Sequence, residues 1–318
     1  MQSIKVNDKN SNVKIEKYLQ TIYPGLSYST LQKAFRRKDI KANGSRVGKD
    51  YIVKTGDMLE IYIADTLLSG QPVSGNNNND NKAFSVVYED DNILIVNKNQ
   101  GIPVHPDRDQ PQHTLIDLVR EYLRQKGDYP VNSANFQPAL CHRLDRNTGG
   151  LVIIAKNQTS LDIMLEKLEA QEVKKYYQCL VKGRMEKSEA GLKAYLWKDA
   201  GKSRVFVSDH KKTGSLLIMT KYKVFEYHSE QDVSLLEIEL LTGRTHQIRA
   251  HLAFIGHPVI GDGKYGINAL NRSFGMKQQA LWAYKLKFEF TKSGSLLNYL
   301  NNKEFSIEPG FDMTLPKE

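Results

Sequence analysis

Apolar positions fall in two distinct rhythms along the chain. Ile15, Leu19 and Ile22 recur at helical spacing and predict a helix that Pro24-Gly25 breaks. Leu31, Ala34 and Phe35 share one face of a second helix, TLQKAFRRK, with Ser29 placed to cap it. The period then drops to two. Ile40 opens a short extended stretch, and Asn43-Gly44 reads as a hairpin turn because both residues tolerate positive φ. Thr55-Gly56-Asp57 turns the chain into a strand that carries Met58, Leu59, Ile61 and Ile63.

The stretch TLLSGQPVSGNNNNDNK has no hydrophobic period and is rich in Gly, Ser and Asn, so it reads as a flexible linker over 66–82. It divides the chain into a small domain, 1–65, and a large one, 83–318. In the large domain the pattern predicts strands over 84–88 and 93–97, a helix over 114–126, a strand over 151–155 and a helix over 160–170. Strands follow over 177–181, 204–208, 216–225 and 235–240, then a helix over 246–254 and a last strand over 281–290. Runs of strands with few helices between them argue an α+β fold with a mixed, mostly antiparallel sheet.

Composition narrows the class. A chain of 318 residues fits about two domains. With 40% of residues hydrophobic and 25% charged, there is enough apolar material for a core, which excludes wholesale disorder. No apolar run reaches the roughly 18 residues of a membrane span, and the polar start is no secretory signal. The two cysteines, Cys141 and Cys179, belong to no C-x-x-C pair, which excludes a disulfide framework and a zinc ribbon and fits a reducing cytoplasm.

Charge points to a polyanionic partner. The formal net charge is +9, and most of it is concentrated early. Through Glu60 there are twelve Lys and Arg against six Asp and Glu. Lys33, Arg36, Arg37 and Lys38 end the second helix, where cations also suit the helix dipole. Lys41 and Arg46 extend the cluster beyond that need, so these six residues are the small domain's candidate cations for a polyanionic partner.

Three segments of the large domain carry chemistry. In Cys141-His142-Arg143-Leu144-Asp145-Arg146-Asn147-Thr148-Gly149-Gly150, the acid lies between two arginines that favour its ionised form. In Thr242-Gly243-Arg244-Thr245-His246-Gln247-Ile248-Arg249, Thr245 is placed to cap a helix. Arg249 then falls in the first turn, where a cation opposes the dipole and calls for an anionic partner, carboxylate or phosphate. Lys175-Tyr176-Tyr177 enters a strand with Tyr177, Cys179 and Val181 on one face. Gly261-Asp262-Gly263-Lys264-Tyr265-Gly266 matches a dinucleotide-binding pattern but lacks the βαβ context, and reads as a turn.

Taken together, these segments resemble the RluA/RluC/RluD family of pseudouridine synthases. The resemblance rests on His142-Arg143-Leu144-Asp145, Lys175-x-Tyr177 and Gly243-Arg244-Thr245-His246-Gln247-Ile248-Arg249, with the Tyr88 to Pro106 stretch and Gly261-Asp262 in support. The small domain is similar to the RNA-binding domain first seen in ribosomal protein S-four, through its two helices, basic turn, Asn43-Gly44 hairpin and Gly56-Asp57-Met58 strand. Two departures stand out: Asn99 where the family commonly has Pro, and Gly149 where it commonly has Ser.

The resemblance implies an isomerase that breaks the glycosidic bond of uridine in structured RNA, turns the base and rejoins it through carbon, needing neither metal nor organic cofactor. It implies Asp145 as nucleophile or base, two roles the sequence leaves open, and Arg249 as its partner. It implies that Tyr177 stacks on the uracil and assists proton removal. Arg143 would fill the place of the extruded base, and His142 would lie against the RNA. The expected partner is ribosomal RNA of the large subunit, with transfer RNA as the alternative target, for a cytoplasmic monomer. A non-catalytic RNA-binding or ribosome-assembly factor is the competing class. A nucleoside hydrolase would want a second carboxylate or a metal to activate water.

Overall fold

A computed structural model of the chain describes residues 2–7, 11–23, 28–63, 83–106, 113–126, 136–199, 204–291 and 296–311. The expected linker, 66–82, lies outside them. The chain divides into two compact units, Met1–Asn81 with Pro106–His113, and Lys82–His105 with Thr114–Glu318.

The first unit contains β1 (Gln2–Lys5), α1 (Ile15–Ile22), α2 (Tyr28–Arg37), β2 (Ile40–Ala42), β3 (Ser45–Arg46) and β4 (Met58–Ile61). Its sheet runs β1-β4-β2-β3. Ile15, Leu19, Leu31, Ala34, Ile40, Leu59 and Ile61 close one core between helices and sheet. The hairpin forms as the Asn-Gly pair requires, with φ of 52° at Asn43 and 77° at Gly44. Asn43 then braces the next turn: its amide donates to Asp57 at 2.8 Å and its carbonyl oxygen accepts the Met58 N–H at 2.9 Å. Asp57 also accepts from Tyr51 and from the Lys54 N–H. The two turn motifs are thus one hydrogen-bonded node. Ser29 is the second residue of α2, not its cap, because the helix starts a turn earlier than its apolar stripe. The strand β1 escaped the sequence reading, being four residues that alternate in burial at the very start of the chain.

The second unit is built on an eleven-stranded sheet. Its strands are β5 (Phe84–Glu89), β6 (Ile93–Lys98), β7 (Ala139–Leu140), β8 (Gly149–Ala155), β9 (Val173–Lys182), β10 (Glu189–Lys198), β11 (Val205–Ser208), β12 (Leu216–His228), β13 (Val233–Leu240), β14 (Leu281–Phe288) and β15 (Glu304–Ser306). The helices are α3 (Leu115–Lys126), α4 (Gln158–Glu169), α5 (Gln247–Phe254) and α6 (Asn268–Ser273). The order is β11-β10-β12-β13-β9-β14-β8-β6-β5, with β7 on β8 and β15 on β14. Among the described residues β14 and β8 form a parallel pair in this sheet and the other pairs are antiparallel. The fold is therefore α+β with a mixed, mostly antiparallel sheet, as the strand runs predicted.

The central strands explain where the site lies. β8 is buried at every residue, as a strand covered on both faces must be. It enters the sheet through Gly149 and Gly150. A Cβ at Gly149 would sit 2.3 Å from the Trp282 ring, and one at Gly150, where φ is 115°, would meet the Ala283 backbone at 2.2 Å. The pair lets β14 approach β8 closely enough for parallel pairing. Gly149, which departs from the resembled family, is thus matched by an indole lying where a side chain would go.

Candidate active site

Asp145 stands on the loop between β7 and β8, and backbone groups hold that loop on several sides. The Thr148 N–H closes a turn onto the Asp145 carbonyl at 3.1 Å. The Gly101 N–H donates to the Arg146 carbonyl at 2.9 Å. Gln100 donates to the Asn147 carbonyl at 2.8 Å, and Gln279 donates to the buried Thr148 hydroxyl at 2.7 Å. The Lys98 ammonium, fully buried, donates to the carbonyls of Asn99, Ile102 and Arg146 at 2.9–3.1 Å. Burial lowers its pKa to about 7, and the negative charge of Asp145 acts in the opposite sense. Three carbonyls match the three N–H of the protonated amine. Lys98 thus ties the end of β6 to the loop that carries Asp145, a role the sequence reading did not foresee.

Arg249 comes from α5 and reaches two carboxylates. Its Nη1 donates to Asp145 Oδ2 at 2.8 Å. Its Nε and Nη2 donate to the two oxygens of Asp262 at 2.7 and 2.9 Å. Burial works against the guanidinium charge, but Asp262 and then Asp145 overcome it and raise its pKa. Burial alone would raise the Asp262 carboxyl. Arg249 and the N–H groups of Lys264 and Tyr265 outweigh it and hold that carboxyl below its ordinary value. The Gly261–Gly266 segment is a turn, as expected, but its aspartate is the stronger anchor of Arg249. The sequence signal was the unmet need of Arg249 for an anion; a single acid was sought where two are used.

The approach to α5 differs from the expectation. Thr245 is not its cap: the helix begins at Gln247, and His246 takes the cap position with φ of 55° and no side-chain cap bond. Gln247 organises the turn instead. Its Oε1 accepts from the Thr242 hydroxyl at 2.8 Å and the Arg244 N–H at 3.1 Å. Its Nε2 donates to the Met219 carbonyl and to Thr220 Oγ1. All four hydrogen-bonding places of the amide are filled, which fixes Arg249 two residues later. The left-handed turn at His246 brings its Nε2 to 3.8 Å from Asp145 Oδ2. Its Nδ1 meets the Tyr265 hydroxyl at 2.9 Å. Burial holds the His246 pKa at about 4, so the ring is neutral near pH 7.

A cavity of about 230 Å³ opens in front of Asp145, with Arg143, Lys175, Tyr177 and Arg249 among its walls. Tyr177 is buried on β9. Burial, and then the charge of Asp145, raise its pKa, so the phenol keeps its proton. It forms a flat wall of the cavity that carries a phenolic O–H. Arg143 is exposed at the rim. His142 lines the same cavity; its Nε2 accepts the Ile153 N–H at 3.1 Å, and burial lowers its pKa to about 3. The imidazole is a neutral brace for β8.

Arg36, Arg37, Lys38 and Arg46 are exposed, and the side chain of Lys33 lies outside the described residues. Lys41 is half-buried, 3.8 Å from Glu60 and 5.1 Å from the Tyr62 ring centroid, and so partly engaged by its own sheet. Among the described residues no three His, Cys, Asp or Glu side chains gather as metal ligands.

A cavity with one carboxylate gripped by an arginine, beside a buried tyrosine, is the arrangement that the resemblance implies for an RNA-modifying isomerase. The sequence profile of the RNA pseudouridylate synthase family matches residues 92–254. The chain belongs to that family, whose members are isomerases. An uncharacterized RNA pseudouridine synthase of Aquifex aeolicus (strain VF5) is 30% identical over 80% of this chain and 78% of its own length. The ribosomal large subunit pseudouridine synthase C of Haemophilus influenzae is 28% identical over 94% of this chain and 90% of its own length. The structure of human RNA pseudouridylate synthase domain containing 4 shares the fold, with a TM-score of 0.54 at 20% identity, covering 73% of this chain and 88% of that one.

Proposed function

We propose that this chain converts uridine to pseudouridine in large-subunit ribosomal RNA, with Asp145 as the group that meets the sugar carbon. The observation that carries this reading is the hydrogen bond from Arg249 to Asp145, 2.8 Å long, in a cavity walled by Tyr177. The reaction breaks the bond between N1 and the sugar carbon and makes one from carbon five. A carboxylate beside that sugar carbon serves it as nucleophile or as base. Arg249 orients the carboxylate, and Tyr177 offers a face on which a flipped pyrimidine stacks. Arg143, exposed at the rim, is positioned to enter the gap left in the RNA.

The ribosomal target is supported by the Haemophilus influenzae relative, whose likeness runs over 94% of this chain and so takes in the first unit as well. We read that first unit as an S-four-like domain over 1–65, joined through 66–82 to the synthase over 83–318. Its exposed Arg36, Arg37, Lys38 and Arg46 supply phosphate contacts. The chain acts as a cytoplasmic monomer.

The test is direct. Asp145→Asn is isosteric and removes only the charge, so it should abolish pseudouridine formation while leaving RNA binding and melting temperature nearly unchanged. Substantial product from the purified variant refutes the role of Asp145. Mapping which pseudouridines disappear from ribosomal and transfer RNA when the gene is deleted tests the target; loss only from transfer RNA overturns the ribosomal assignment.

A further inference from the structure

Lysines around the centre of the large sheet almost all have partners. Lys174 and Lys287 pair with Glu289, Lys285 pairs with Glu237, and Lys167 with Glu172. Lys98 is saturated by carbonyls. Lys175 is different. It is half-buried and lines the cavity in front of Asp145, yet among the described residues its ammonium has no hydrogen bond and no carboxylate within ion-pair distance. Burial alone lowers its pKa. A cation desolvated without a partner is costly, so the sheet would be more stable with an apolar residue here.

Its place in the cavity is specific. Lys175 precedes Tyr177 by two on β9, so both side chains leave the same face of the strand, roughly 7 Å apart along it. Lys175, Tyr177 and Asp145 line the same cavity. A pyrimidine stacked on Tyr177, with its sugar at Asp145, would occupy the cavity that Lys175 also lines. Its neighbour His142 is neutral and bound to the backbone, so it adds no competing charge.

We propose that the Lys175 ammonium receives a carbonyl oxygen of the target pyrimidine and stabilises the negative charge the base acquires when its bond to the sugar breaks. The proposal rests on the isomerase assignment above. When the N1–sugar bond breaks, both electrons stay with the base and spread over N1 and the two carbonyl oxygens. The base turns, carbon five bonds to the sugar carbon, its proton is lost to water, and N1 gains one. The composition of the RNA is unchanged. A positive donor at a carbonyl oxygen acts most strongly while the base is an anion, which makes Lys175 a catalytic residue.

The experiment compares the wild type with Lys175→Met and Lys175→Arg in single turnover, on the same RNA carrying uridine or 5-fluorouridine at the target. The readout is disappearance of the target nucleoside. Fluorine makes the pyrimidine a weaker base and an easier leaving group. Lys175→Met should slow the uridine substrate about 10²-fold, the typical cost of one such donor. The loss should be clearly smaller with 5-fluorouridine, and RNA affinity unchanged. Lys175→Arg should recover most of the rate. Lys175→Gln serves as a second neutral variant if Lys175→Met melts early. Equal losses on both substrates overturn the proposal. So does a loss confined to RNA affinity with a reduced salt dependence, which would make Lys175 a phosphate contact. A wild type that forms no pseudouridine on any RNA would instead overturn the isomerase assignment.

Discussion

Asp262 holds Arg249 by two hydrogen bonds, at 2.7 and 2.9 Å, where Asp145 receives one at 2.8 Å. The arginine is thus anchored by a carboxylate that is wholly buried and offered to one that faces the cavity. Such a fork fixes the direction in which the third N–H points, and with it the Asp145 oxygen it binds.

Asp262→Asn should therefore lower activity although the residue is remote from the cavity floor. The buried guanidinium would lose its principal counter-charge, a change that typically costs about 3–5 kcal/mol. Urea unfolding and single-turnover rates measure the two effects. A variant with normal rate and normal stability would show that Asp145 alone suffices to place Arg249.

Arg249→Met keeps the stem and removes all three hydrogen bonds. Activity should drop by orders of magnitude. Combined with Asp145→Asn it should cost little more than either change alone, because the two residues act as one unit. Additive losses in this double-mutant cycle would separate their roles.

Acid should destabilise the second unit in a defined window. Burial holds His246 and His251 down at about 4, and His142 at about 3. Unfolded, each imidazole binds its proton near 6.5. Between pH 6.5 and 4 the unfolded chain takes up protons that the folded chain refuses. Their contribution is complete above 6.5 and is lost as pH falls through the window, at roughly 1.4 kcal/mol for every tenfold by which folding weakens a ring's hold on its proton. Melting temperature should fall steeply there, and His251→Gln should flatten the slope while keeping an acceptor for the Thr220 hydroxyl. A flat profile would mean that these rings are already charged.

Gly149→Ser, which restores the residue the wider family commonly has, should destabilise this chain. Its Cβ would overlap the Trp282 ring, an overpacking that typically costs about 1–3 kcal/mol. Trp282→Leu in the same chain should recover part of that loss. A stable Gly149→Ser single variant would show that the indole yields freely.

Deleting residues 1–80 should leave a folded synthase, since the cores of the two units share no residue. RNA affinity should fall and lose part of its salt dependence, at a slope of roughly −0.7 to −0.9 per phosphate contact. Identical slopes for the full and shortened chains would reassign the first unit to protein contacts.

Much of this was legible in the sequence because local rules held. Asn43-Gly44 specified its turn through φ preference alone. The apolar alternation of Tyr177, Cys179 and Val181 found the core face of β9. What escaped depends on contacts between distant segments. β10 reads EAGLKAYLWK, a stretch without a clean apolar period, and gains its place from pairing with β11 and β12. Asp262 and Lys98 lie 117 residues after and 47 before Asp145, and nothing local in either segment announces that they meet at one loop. Thr245 obeyed the rule for helix caps, but the side chain of Gln247 claimed the preceding backbone first.

The two thiols give the second unit its own clock. Cys141 and Cys179 lie in separate cores of that unit, and burial raises both pKa values, Cys141 to about 12. Neither is a reactive thiolate while its core is closed. The first unit has no cysteine at all. Alkylation of the untouched wild-type chain therefore times the openings of the two synthase cores, one label for each, while the small domain stays silent.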